Sequence, residues 1–140
     1  GISAIYFAAM IEAGAGAEIE SDLADTLSVV WDETLLVLFG GIQSNNVSKQ
    51  LETAEKWSYV HQENAVLLAV LGKLAVKCGD TFKAESYLAK SIAAEPTVQA
   101  YQLLGDLLFA QGDKDNACLC YKNGLELASS EIVSRIDTLS

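Results

Sequence analysis

One internal periodicity narrows the folds open to this 140-residue chain more than any other feature. Leu71-Gly72 recurs 33 residues later as Leu104-Gly105, and Gly79-Asp80 recurs at the same spacing as Gly112-Asp113. Ala84, Leu88 and Ser91 keep step with Ala117, Tyr121 and Gly124. A fixed beat of this length marks a unit that buries its apolar face only by stacking on copies of itself. Each unit reads as two helices. Apolar helical stretches cover 65–78 and 98–111, a Gly-Asp turn follows each, and second helical stretches cover 81–94 and 114–128. Gly suits the left-handed residue just past a helix, and Asp caps the helix that follows. Pro96 breaks the chain after the first unit, and Thr97 caps the next helix. Glycine inside a helix costs about 1 kcal/mol relative to alanine. Its return at 72 and 105, facing Ala84 and Ala117, therefore predicts a close approach between paired helices.

These residues resemble the tetratricopeptide repeat, whose pattern runs from a large residue through Leu-Gly, Ala, a second large residue and a small one to Pro. One unit supplies Leu68, Leu71-Gly72, Ala84, Leu88, Ser91 and Pro96; the next supplies Tyr101, Leu104-Gly105, Ala117, Tyr121 and Gly124. Ser129 stands where the second Pro belongs, Ala75 and Leu108 replace the usual Tyr, and the beat falls short of the family's unit of about 34 residues. A degenerate copy precedes them. Phe39-Gly40 aligns with Leu71-Gly72, Asp32 caps a helix reaching Ile42, and Ser48 caps one reaching Val60. Helices over 2–13 and 17–30, turned at Ala15-Gly16, come before that. The expected fold is all-α, a superhelix of helix-turn-helix repeats in a single array over 1–140. Its parts are a degenerate pair (1–32), a degenerate repeat (33–64), two repeats (65–97 and 98–130) and a capping helix (131–140).

Charge excludes several function classes. The net charge is −10, and residues 1–64 hold ten acidic side chains against two basic ones. Nucleic acid and anionic membrane surfaces would be repelled, whereas a basic partner would not. No apolar run reaches the roughly 18 residues a membrane helix needs, so this segment is not expected to insert into a bilayer. Three cysteines, Cys78, Cys118 and Cys120, are too few and odd in number for a disulfide framework. Cys118 and Cys120 point about 200° apart on a helix and cannot share a metal. The acidic run Glu18, Glu20, Asp22, Asp25 reads as a solvated helix face, and the aromatic residues as packing between helices. No phosphate loop, nucleophile elbow or acid–base pair is legible, so the chain is expected not to be an enzyme. Mean hydropathy is slightly positive at +0.24, which suggests that some apolar surface is normally covered by a partner.

A narrower resemblance rests on the Ala-Glu-Lys-Trp segment at 54–57, on Trp31-Asp32, and on the run from Leu67 to Asp113. That run includes Leu-Gly-Lys-Leu, Lys-Ala-Glu-Ser-Tyr-Leu and Glu-Pro-Thr-Val-Gln-Ala-Tyr. These segments are similar to the C-terminal tetratricopeptide region of the HemY family. The resemblance implies a bacterial inner-membrane protein with two membrane helices ahead of the repeats, and a repeat region on the cytoplasmic side. It also implies a scaffold for enzymes of late haem synthesis. Glycine at position 1 fits a longer parent chain. Two alternatives stand beside this reading: a haem or porphyrin carrier, and a generic adaptor or homo-oligomeric array.

In such arrays the first helix of each pair lines the concave face. Counting from the Leu-Gly landmarks, the inward positions are Val66, Ala69, Lys73 and Val76, then Gln99, Gln102, Asp106 and Phe109. The mixture of apolar and polar groups suits a peptide groove. It lacks the Lys, Asn and Arg clamp that holds a C-terminal carboxylate in chaperone-binding relatives. His61, the only histidine, reads as a solvated residue at a helix end. It is the first candidate ligand if haem binds, although no cofactor is expected and no haem-attachment motif is present.

Overall fold

The computed structural model describes residues 2–139. Gly1 and Ser140, at the two ends of the expected array, lie outside the described residues. Among these there are eight helices and no strand: α1 (Ile2–Glu12), α2 (Gly16–Val29), α3 (Glu33–Gly41), α4 (Val47–Trp57), α5 (Ala65–Lys77), α6 (Thr81–Ala94), α7 (Val98–Ala110) and α8 (Lys114–Leu139).

The helix starts are written in side-chain oxygens. Asp32 Oδ1 accepts from the Leu35 amide at 3.1 Å, Asn64 Oδ1 from Leu67 at 2.9 Å, and Asp80 Oδ1 from Lys83 at 3.0 Å. Thr97 Oγ1 accepts from Ala100 at 3.1 Å, and Asp113 Oδ1 from Asn116 at 3.3 Å. Each satisfies one of the amides that the first helical turn leaves without an internal partner. Helix α4 starts earlier than expected. Asn46, not Ser48, is its cap, with Oδ1 accepting from the Lys49 amide at 3.1 Å, because the Ser44 hydroxyl already accepts from the Asn46 amide and turns the chain there. The two Gly-Asp turns are as read, with Gly79 at φ +80° and Gly112 at φ +86°.

The helices stack in two layers. α1, α3, α5 and α7 lie side by side, and α2, α4, α6 and α8 pack behind them. The core runs through the stack from Phe7, Leu23 and Leu27 to Leu71, Leu74, Leu88 and Leu107. In the two regular units the glycine landmark faces its own pair. A Cβ on Gly72 would lie 2.6 Å from Leu88 Cγ, and one on Gly105 would lie 2.6 Å from Tyr121 Cε1. Leu88 and Tyr121 are the same repeat position, so one rule builds both pairs. The small residue that follows lies against the start of the first helix. Ser91 Oγ donates to the Ala65 carbonyl at 2.7 Å, and Gly124 lies beside Tyr101 and the Val98 carbonyl.

The degenerate unit is built differently. Gly40 faces Val70 of α5, not α4. The backbones of α3 and α4 stand apart, and side chains fill the gap. Trp57 meets Phe39 edge to face at 5.0 Å, and buried Gln50 donates Nε2 to the Phe39 and Ile42 carbonyls at 2.9 and 3.2 Å. Lys77 Nζ adds long contacts of 3.4 and 3.5 Å to the Gly40 and Ile42 carbonyls, so the C-terminus of α3 is capped by α4 and α5. Burial, helped by Lys73, lowers the Lys77 pKa.

The C-terminus also departs from expectation. A separate capping helix over 131–140 does not form; α8 runs unbroken from Lys114 to Leu139. The reason is the missing proline. Pro96 ends α6 at Ala94, with Glu95 extended, but Ser129 at the matching place of the next unit lets the helix continue.

Candidate partner interface

The layer α3–α5–α7 carries the expected concave positions. All four from α7, Gln99, Gln102, Asp106 and Phe109, are exposed, Phe109 by 53%. From α5, Val76 is exposed, Val66 and Lys73 are half-buried, and Ala69 is buried and offers a partner little. The register of Phe39-Gly40 carries the same face onto α3, where Thr34 and Val37 are both exposed. Reading inward positions from the two regular units alone misses them, although the offset between Phe39-Gly40 and Leu71-Gly72 locates them.

Asp106 is already engaged. Its Oδ1 accepts a 2.5 Å hydrogen bond from the Tyr121 hydroxyl, which ties the face to α8. That bond, with the carboxylate's charge, pushes the Tyr121 phenol up to about 12 from its ordinary 10.0. Ionisation would set two anions together, so the folded-state pKa lies above the unfolded one. The stabilisation from this bond is present below pH 10 and is lost as pH rises towards 12. Tyrosinate absorbance is therefore expected to show a late-titrating tyrosine that Asp106→Asn moves back towards the ordinary range, leaving Tyr87 as the only late one of these two. An unchanged titration curve would show that the bond does not form in solution. Lys114 Nζ lies 5.9 Å from the Phe109 ring centre, a contact that keeps the ring partly covered at the edge of the face.

Comparison with known proteins fixes the architecture. Residues 98–131 match the sequence model of the tetratricopeptide repeat family. No curated protein matches the chain. Among solved structures, the crystal structure of MamA superimposes with a TM-score of 0.69 at 17% identity, over 90% of this chain and 76% of that one. The fold is a tetratricopeptide superhelix.

Outside the α3–α5–α7 layer the structure has an aromatic cluster and an outer polar link. His61 lies in the turn before α5 and stacks on Trp31, with ring centres 3.7 Å apart and planes 9° from parallel. Trp31 in turn meets Trp57 edge to face at 6.0 Å. His61 is thus half-buried against an indole, where a solvated residue was expected. A cleft of about 600 Å³ beside this turn is lined by Tyr59, Glu63, Leu68 and Tyr87 among others, but not by His61. Across the outer layer, Glu55 accepts a short hydrogen bond from the Tyr87 hydroxyl and pairs with Lys83 at 3.1 Å, joining α4 to α6. Burial first, then Glu55, raises the Tyr87 pKa. The three cysteines are free, with Cys118 exposed and Cys120 half-buried. Among the described residues no cluster of His, Cys, Asp and Glu is placed to hold a metal, and no helix is long and apolar enough to cross a membrane.

Proposed function

We propose that this chain is a protein-interaction scaffold that holds an extended partner segment along the α3–α5–α7 face. The observation that carries this reading is the row of exposed apolar side chains, Val37, Val76 and Phe109, one on each helix of the layer. Polar Gln99, Gln102 and Lys73 lie between or beside them, which suits a segment with spaced apolar anchors and backbone groups to satisfy. The net charge of −10 favours a partner with basic residues. In its narrower form the proposal makes the chain the repeat region of a HemY-type membrane-anchored protein that gathers enzymes of late haem synthesis on the cytoplasmic side. The segments at 54–57 and from Leu67 to Asp113 support that form.

Capture of ferrochelatase and protoporphyrinogen oxidase by the immobilised chain tests the narrow form. Enrichment over an unrelated repeat array is expected, and Phe109→Ala with Val76→Ser should weaken it by about tenfold or more. Both residues are exposed, so the helical circular dichroism should not change. Enrichment of neither enzyme removes the haem assignment. A captured partner that is indifferent to the double substitution removes the groove.

A further inference from the structure

The 33-residue beat also marks an open cleft beside the last described helix pair. A cleft of about 320 Å³ between α7 and α8 is lined by Val98, Gln102, Tyr121, Gly124, Leu125 and Ala128. One beat earlier the first four of these positions are Ala65, Ala69, Leu88 and Ser91. All four are buried, in the pair against which α7 packs. In the last pair Val98 and Tyr121 are 37% exposed and Leu125 is 71% exposed. The cleft has the form of a seat for a further first helix, and none of the described residues fills it.

The segment that the beat assigns to that seat is present but points elsewhere. Val133 falls at the place of Ala100, which is fully buried where α7 packs. Ile132 and Val133 are 58% and 56% exposed on the straight continuation of α8. Without a break at Ser129 this segment is held away from the cleft of its own chain. Two unmatched apolar surfaces that suit each other, and that one molecule cannot bring together, are the geometry of an exchanged element.

We infer that two copies associate by laying the α8 extension of each, residues 131–139, into the α7/α8 cleft of the other. Charge permits the contact. The excess of negative charge sits in residues 1–64, at the opposite end of the stack. The mating end carries both signs, Lys122 and Glu126 next in sequence to the cleft residues Tyr121 and Leu125, and Glu131, Arg135 and Asp137 on the extension. Of the cleft residues only Gln102 also belongs to the α3–α5–α7 face, and the substitutions that test each surface lie outside the other, so the two proposals fail independently.

Sedimentation across a concentration range, with Leu125→Lys and Val133→Lys variants, tests the inference. Both side chains are exposed, so each variant should keep its helical content. The wild-type chain is expected at twice the chain mass, and each variant alone at the chain mass. An equimolar mixture of the two variants should regain dimer, because one intact cleft meets one intact extension. Phe109→Ala should leave the dimer unchanged. A wild-type chain that stays monomeric, a dimer that survives either lysine, or a mixture that fails to associate would each overturn it.

Discussion

Gly72→Ala is expected to cost about 2 kcal/mol of folding stability, while Gly105→Ala, at the same repeat position, costs less than about 1 kcal/mol. The reason lies across the pair. A new Cβ at 72 meets Leu88 Cγ at 2.6 Å and Cδ2 at 2.7 Å. Cγ is the branch point of a fully buried side chain and has no room to turn. Backbones must separate, and the core between α5 and α6 loosens. At 105 the new Cβ meets the ring edge of Tyr121, at 2.6 Å from Cε1 and 2.9 Å from Cδ1. That ring is 37% exposed and can swing outwards, giving up its bond to Asp106. In both positions alanine gains about 1 kcal/mol of helix propensity, which offsets most of the smaller cost and only part of the larger. Urea unfolding of the two variants measures the difference. Equal losses would mean that the Tyr121 ring yields no more readily than Leu88.

Replacing Gln50 should be the most damaging polar substitution. Gln50→Leu keeps the volume but takes a donor from the buried Phe39 and Ile42 carbonyls, at about 1–3 kcal/mol for a buried acceptor left unpaired. Three effects reduce the total. The Ile42 amide still donates to the Phe39 carbonyl at 3.2 Å, the Lys77 ammonium still reaches towards Ile42, and the leucine removes a Gln50 Oε1 that has no partner among the described residues. A net loss of about 1 kcal/mol is expected. Gln50→Glu should be worse at neutral pH, by about 3–5 kcal/mol in all, since a buried carboxylate would face two carbonyl oxygens. Such a glutamate has a folded-state pKa raised above its unfolded value. Its penalty is therefore full at high pH and shrinks as pH falls through the folded pKa towards the unfolded one near about 4.3. Denaturant melts of both variants from neutral to mildly acidic pH test this. Identical pH dependence for Gln50→Glu and Gln50→Leu would show that the position is not dry.

The regular half of the molecule was legible because its constraints are local or strictly repeated. Caps at Asp32, Asp80 and Thr97 follow from residue type and spacing, and the turn glycines from the left-handed backbone at Gly79 and Gly112. Counting from Leu71-Gly72 and Leu104-Gly105 puts the expected partner-facing positions on α5 and α7, where Ala69 proves buried while the four on α7 are exposed. The degenerate unit was read less well. Phe39-Gly40 has the spacing of the landmark, but its glycine serves contact with α5, because Phe39, Gln50 and Trp57 occupy the space between α3 and α4. His61 gave no sign of its stack on Trp31, since 30 residues separate two rings that only the stacking of α3, α4 and α5 brings together.

The sequence by itself determined that the chain is paired helices at a fixed beat, where they turn, and which faces are apolar. Those properties depend on hydrogen bonds and side-chain sterics within a turn or two of each residue. Tertiary structure decided which neighbour each small residue admits, how the end of α3 is capped from two other helices, and which apolar groups stay uncovered. These are contests between surfaces distant in the chain, settled by which contacts exclude water and satisfy buried carbonyls together, and no local pattern records the winner.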